Sequence, residues 1–193
     1  MSAATQSPVL HHVNLKTRRL DEMVDWYGLV VGMKPNHKGP EGAWLSNDDA
    51  NHRLALLTTP GLKDDPEKLV HTGMHHIGFE LESVSALLDT YERLATHGHL
   101  PHASLDHGMT TSFYYVDPDG NSVELQADNF GGDWQQSSAF LGTPEFAANP
   151  IGQTIDPVLM LRAREEGATD QELHERGYAG EFKPDEPLDL RLP

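Results

Sequence analysis

Two histidine pairs and one glutamate carry the chemical interest of this chain. The stretch "LHHVNLKTRRLDEMVDWYGLV" begins at Leu10 and "MHHIGFELESVSALLDTYERL" at Met74, so a His-His pair recurs after 64 residues. Each pair opens a segment in which apolar and polar residues alternate, the pattern of a strand with one buried face. Strand parity then separates the histidines. His11 shares parity with Val13 and Leu15, and His75 with Ile77 and Phe79, which places both on the packed face. His12 and His76 fall on the opposite face, beside Asn14 in one copy and beside Gly78 and Glu80 in the other. Further on, Val123 and Leu125 define an apolar strand face and Glu124 the other. If the two copies pack about a pseudo-twofold axis, His12, His76 and Glu124 converge. Two imidazoles and one carboxylate with open coordination positions form the facial triad typical of non-haem Fe(II). A His-His pair at a strand start is more often plain polar surface. The duplication, the matched parity and the acid on the polar face favour the metal.

The elements that position these residues are duplicated too. At the same offset Leu20 meets Val84, Met23 meets Leu87, Val24 meets Leu88 and Tyr27 meets Tyr91. Self-similarity at a fixed period is a fold-level signal. The three-and-four spacing from Leu20 predicts an amphipathic helix, with Asp21 and Glu22 in its dipole-favoured first turn and Gly28 and Gly32 near its end. The second copy repeats the helix up to Gly98. Strand candidates follow: "GAWLS" and "HRLALLTT" around the turn "NDDAN", then "MTTSFYYV" and "SVELQ" around the hairpin turn "DPDGN". Each unit reads β-α-β-β-β. The predicted fold is α+β, with two paired βαβββ modules forming a cup-shaped mixed sheet. The modules span about 8–60 and 74–130 within one domain over 1–130, and 131–193 is a C-terminal extension. The Gly-, Pro- and Asn-rich stretch after Asn129 is expected as extended loop. One or two helices are expected in "DPVLMLRAREEGATDQELHERG", broken at Gly167, and the terminal "EFKPDEPLDLRLP" is expected to drape over the body or be disordered.

Composition limits the partners. With 14 Lys plus Arg against 30 Asp plus Glu the formal charge is -16, which repels nucleic-acid backbones and anionic membranes. The absence of cysteine excludes disulfides, thiolate catalysis and Cys-ligated zinc. "MSAATQSPV" has neither the basic segment nor the apolar run of a signal peptide. No apolar stretch reaches the length that spans a bilayer, and the cytoplasm is the expected location.

The duplicated β-α-β-β-β unit with a histidine on each first strand resembles the vicinal oxygen chelate superfamily. Within it, "HGMTTSFYYVDPDGNSVEL" is similar to the signature of type I extradiol (catechol-cleaving) dioxygenases, with Tyr114 ten residues before Glu124 and His107 at its start. The resemblance covers roughly 8–130, and "FAANPIG" in the tail resembles small single-domain dihydroxybiphenyl-type members. It implies an Fe(II) enzyme, with iron preferred over Mn(II) on family grounds, and His12, His76 and Glu124 as ligands. It implies that His52, opening the last strand of the first unit, is the acid–base residue, that Tyr114 hydrogen-bonds the deprotonated substrate oxygen, and that His107 bonds the substrate or Tyr114. The substrate would be a catechol, the co-substrate O2 and the product a muconic semialdehyde. Homo-oligomers are expected, because members often assemble through sheet edges or swapped units. Glyoxalase and epimerase relatives, which are lyases or isomerases, add a fourth ligand, a Glu near the end of the first unit's last strand. "RLALLTT" here carries no Glu, Asp, His or Gln. Non-catalytic binding or resistance members lack the triad. Trp44 and Phe130 are read as pocket or core, and His37, His71, His97, His99, His102 and His174 as solvated.

Overall fold

The computed structural model describes residues 7–192; the segment read for a signal peptide therefore falls largely outside the described residues. The chain forms two compact units, Met1–Asp64 and Asp65–Pro193.

In the first unit, β1 (Val13–Lys16) leads into α1 (Leu20–Val30), then β2 (Lys34–Gly39), β3 (Gly42–Ser46) and β4 (Leu54–Leu57). The sheet order is β1-β4-β3-β2, with β1 parallel to β4 and the other pairs antiparallel. The helix arises where the apolar period changes from two to three and four. Its Met23, Val24, Trp26, Tyr27 and Val30 are buried, and Gly32, at φ +76°, follows its end. Asp48 organises the turn before β4 by accepting from Ala50 N and the Ser46 hydroxyl. Strand β2 escaped the sequence reading. "KPNHKG" is polar and almost wholly exposed, with a register shift between Pro35 and His37, so no alternation marks it.

The second unit repeats the plan. β5 (His76–Leu81) is followed by α2 (Val84–Thr96), β6 (Ala103–Asp106), β7 (Thr110–Val116) and β8 (Ser122–Asp128). Its sheet order is β5-β8-β7-β6, again with the first strand parallel to the last. Ser83 caps α2 by accepting from Ala86 N, and Val84, Leu87, Leu88 and Leu94 are its buried face. The β7–β8 turn is built as its residues demand. Asp117 Oδ1 accepts from Asp119 N and Asn121 N, and Gly120 takes φ +78°.

The extension belongs to this unit and holds more structure than expected. The stretch read as loop contains α3 (Trp134–Phe140) and α4 (Pro144–Ala148). Local capping explains both short helices: Asp133 accepts from Gln135 N and Gln136 N, and Thr143 accepts from Phe146 N ahead of Pro144. β9 (Gln153–Thr154) then pairs with β6. The helical pattern beyond it forms α5 (Pro157–Glu165) and α6 (Asp170–Tyr178), separated at Gly167, where φ is +102°. Arg164 ties α5 to α2 through Asp89 and Glu92, each at 2.7 Å. His174, read as solvated, instead anchors α6: its Nδ1 lies 2.8 Å from Asp106 Oδ2, and Asp106 is fully buried. Among the described residues no helix is long and apolar enough to cross a membrane.

One parity expectation fails. His11 and His75 are exposed rather than packed. β1 starts at Val13 and β5 at His76, so both residues precede their strands and the two-residue period does not reach them.

Candidate active site

Cross-strand register in the second unit gathers four of the expected residues. Tyr114 on β7 lies opposite Glu124 on β8, and Gly78 on β5 pairs with Glu124 from the other side. The Tyr114 hydroxyl donates to Glu124 Oε1 at 2.6 Å, and His76 Nε2 lies 3.2 Å from Glu124 Oε2. His107 Nε2 is 2.9 Å from the Tyr114 oxygen, while its Nδ1–H donates to the Ile151 carbonyl at 2.6 Å. Glu124 is buried. Burial pushes its carboxyl pKa up, but hydrogen bonds from His76, Tyr114 and Ser112 and the His76 charge outweigh that and hold it below the usual range. Glu124 is therefore a fixed carboxylate. Burial first, then the Glu124 charge and hydrogen bond, raise the Tyr114 phenol, which stays a proton donor.

Gly78 makes room for this carboxylate. A Cβ there would come within 2.9 Å of Glu124 Oε2. Gly78→Ala is expected to leave thermal stability nearly unchanged, since the position is exposed and its backbone is ordinary. By moving Glu124, a candidate metal ligand, it should weaken metal binding about tenfold, the scale seen when a ligand's support is altered. Paired thermal melts and metal titrations of this variant check both halves.

The first of each histidine pair proves to be a partner of the second. His75 Nδ1 lies 2.8 Å from His76 Nδ1, and His75 Nε2–H donates to the Leu190 carbonyl at 3.2 Å. That carbonyl can only accept, which leaves His75 Nδ1 free to accept the His76 Nδ1 proton in the neutral pair. His76 Nε2 then faces Glu124, and the proton it shares with the carboxylate is the one a metal ion would displace. His11 and His12 repeat the Nδ1–Nδ1 contact at 3.2 Å.

In the first unit the His12 ring lies tilted against His52, with centroids 4.4 Å apart, and His11 lies 5.4 Å from His52. The ligand atoms of these three histidines fall within 4.8 Å of one another. His52 Nδ1 is 2.6 Å from Asn51 Oδ1, an acceptor that holds the proton on Nδ1 and frees Nε2 as a base. Desolvation, then the neighbouring His12 and His11, lower the His52 pKa, so it is neutral near pH 7. The β1–β4 register places Ala55 beside Asn14, where the second unit has Glu124 beside Gly78. At the position matching Glu124 the first unit's strand therefore carries a methyl group and no carboxylate.

Several residues escaped sequence reading. His102, read as solvated, is half-buried. Its Nδ1–H donates to the Asp189 carbonyl at 2.6 Å and its Nε2 faces the Ser122 hydroxyl at 2.9 Å. Ser112 approaches Glu124, and Ile151, Leu190 and Leu192 line a cavity beside Tyr114. Ile151 and Leu190 reach the site only through contacts 44 and 115 residues apart in sequence. Trp44 is half-buried beside His37, and Phe130 packs against Phe140; neither lines that cavity.

Two βαβββ sheets, with a His–Glu–Tyr cluster on one and a His–His pair on the other, define the class. The chain belongs to the Glyoxalase/Bleomycin resistance protein/Dioxygenase superfamily, whose sequence model matches residues 9–125. Among individual proteins it is similar to biphenyl-2,3-diol 1,2-dioxygenase 2 of Rhodococcus globerulus, at 38% identity over 95% of both chains. It is also similar to biphenyl-2,3-diol 1,2-dioxygenase 3 of that organism, at 36% identity over 91% of this chain and 92% of the other. The solved glyoxylase/bleomycin resistance protein/dioxygenase domain from Frankia sp. EAN1pec shares the fold, with a TM-score of 0.54 at 22% identity over 68% of this chain and 99% of that one.

Proposed function

We propose that the protein is an Fe(II)-dependent extradiol dioxygenase that opens a catechol ring with O2 to a muconic semialdehyde. Both oxygen atoms enter the product, so no external reductant is needed. The observation that carries this reading is the Tyr114–Glu124–His76 constellation, a fixed carboxylate and an imidazole with adjacent ligand atoms on one sheet face. The similarity to two biphenyl-2,3-diol dioxygenases supports it. In this reading His12, His76 and Glu124 are the ligand set. Two imidazoles and a carboxylate suit Fe(II) or Mn(II), and no thiolate is present to favour zinc. Iron, when bound, would supply adjacent positions for the two catechol oxygens and dioxygen and make the catechol easier to deprotonate.

The chain's own residues divide the remaining work. His75 holds His76 in the ligating tautomer. His52 Nε2, unprotonated near neutrality, takes the catechol proton and returns it later. Tyr114 is not free to bond the substrate oxygen while its hydroxyl donates to Glu124. Its single proton can serve either Glu124 or His107, and with Glu124 engaged by a metal that proton would turn to His107 or to a substrate oxygen instead. The cytoplasm and a homo-oligomeric state belong to the same proposal.

Anaerobic reconstitution with Fe(II), followed by aerobic assay against a panel of catechols, tests the activity. Oxygen uptake with a yellow product is expected. Uptake by none of the panel would refute the dioxygenase reading. Conversion of a hemithioacetal instead would favour a glyoxalase-type enzyme, a reading the alanine at position 55 disfavours.

A further inference from the structure

The terminal segment was expected to drape over the body or be disordered, and its contacts give the draped form a role. Leu188 and Leu190 pack on Ala103, Leu105 and Tyr114. Four hydrogen bonds hold the segment in place. Asp189 N donates to His102 O at 3.2 Å, and His102 Nδ1–H donates to Asp189 O at 2.6 Å. His75 Nε2–H donates to Leu190 O at 3.2 Å, and Arg191 Nη2 to Gly120 O at 3.0 Å. Beneath it lies a cavity of about 230 Å³, walled by Ala103, Leu105, Tyr114, Ile151, Leu190 and Leu192 and edged by histidines that include His76 and His107.

We infer that the C-terminal segment Leu188–Leu192 builds an apolar subsite for a ring substituent and so determines which catechols the protein accepts. This rests on the proposed dioxygenase reading for the word catechol, but the subsite itself does not depend on iron.

The chemistry of the walls selects the substituent. No lysine or arginine lines the cavity. The imidazoles at its edge are already engaged: His102 by Asp189 and Ser122, His107 by Ile151 and Tyr114, and His75 by His76 and Leu190. A carboxylate entering here would lose its water and find no partner, which is strongly unfavourable. A phenyl or alkyl group would meet Leu190, Leu192 and Ile151 and bury its apolar surface there. The subsite therefore favours a catechol bearing an apolar group over one bearing an acidic side chain. Leu190 and Leu192 sit on a segment held from outside the sheet, so they can change without disturbing β5, β7 or β8.

The experiment pairs binding with specificity on the full chain. The probe is 2-hydroxybiphenyl, whose single hydroxyl cannot chelate a metal, titrated calorimetrically into wild type and the Leu190→Ala/Leu192→Ala variant. Saturable binding by wild type and at least tenfold weaker binding by the variant are expected. With iron loaded, kcat/KM for 3-phenylcatechol should fall about tenfold while that for unsubstituted catechol changes less than twofold. A second variant, Leu190→Lys, should shift preference toward a carboxylated catechol and guards against the double variant folding poorly. Equal probe affinity in wild type and variants would overturn the inference. So would parallel losses for both catechols. If wild type binds the probe through these leucines yet opens no ring, the subsite stands and the dioxygenase reading falls.

Discussion

Glu124→Ala is expected to lose iron retention and reduce ring cleavage to background while the fold persists. The loss of metal affinity should exceed the ~10–100-fold typical of losing an outer partner, because this carboxylate is the proposed anionic ligand itself. The structure also separates this from simple destabilisation. Glu124 is buried, and its removal deprives Tyr114 and His76 of a partner, a cost of about 1–3 kcal/mol. That cost is softened on both sides. His107 can still take the Tyr114 proton at 2.9 Å, and His76 keeps its contact to His75. The cross-strand registers of β5, β7 and β8 rest on backbone hydrogen bonds and on the apolar neighbours Val123 and Leu125, which the substitution leaves alone. Circular dichroism and a thermal melt should therefore show a folded protein that no longer holds iron. A variant that retained both iron and turnover would remove Glu124 from the site.

His52→Ala should behave in the opposite way. Iron is retained and kcat falls by about 10²–10⁴-fold, the range for losing a positioned general acid–base. Asn51 fixes the His52 Nδ1 proton, and desolvation, then the flanking His12 and His11, lower the ring's pKa, so Nε2 is a ready base next to a proposed ligand. Because His52 acts on a bound substrate, KM for the catechol should change far less than kcat. Single-turnover kinetics would isolate the step. An unchanged turnover rate would show that another group moves the proton.

Much of the fold was legible because the chain repeats itself. The 64-residue offset aligned helix faces whose buried residues are now seen, Met23 and Val24 in α1 and Leu87 and Leu88 in α2. The four strands of each βαβββ unit take the same order, with the unit's first strand parallel to its fourth. The strands that escaped are those without alternation: β2 is polar and exposed, and "ASLD" of β6 is buried at every position. The short helices α3 and α4 escaped because one or two capping side chains, not an apolar period, define them. At the site, parity placed His76 and Glu124 on one face but misplaced His11 and His75. The period of two holds only within a strand, and the hydrogen bond from His75 to a carbonyl 115 residues away leaves no local trace. In the second pair that bond lets His75 orient His76.

The most direct test is anaerobic titration of Fe(II) into wild type and five single alanine variants, with iron counted per chain. The proposed ligand set predicts one tightly bound Fe(II) in wild type and none in His12→Ala, His76→Ala or Glu124→Ala. His11→Ala and His52→Ala should still bind it. Full occupancy in His76→Ala or Glu124→Ala, with loss in His11→Ala and His52→Ala, would instead put the metal on the three-imidazole cluster of the first unit and contradict the account.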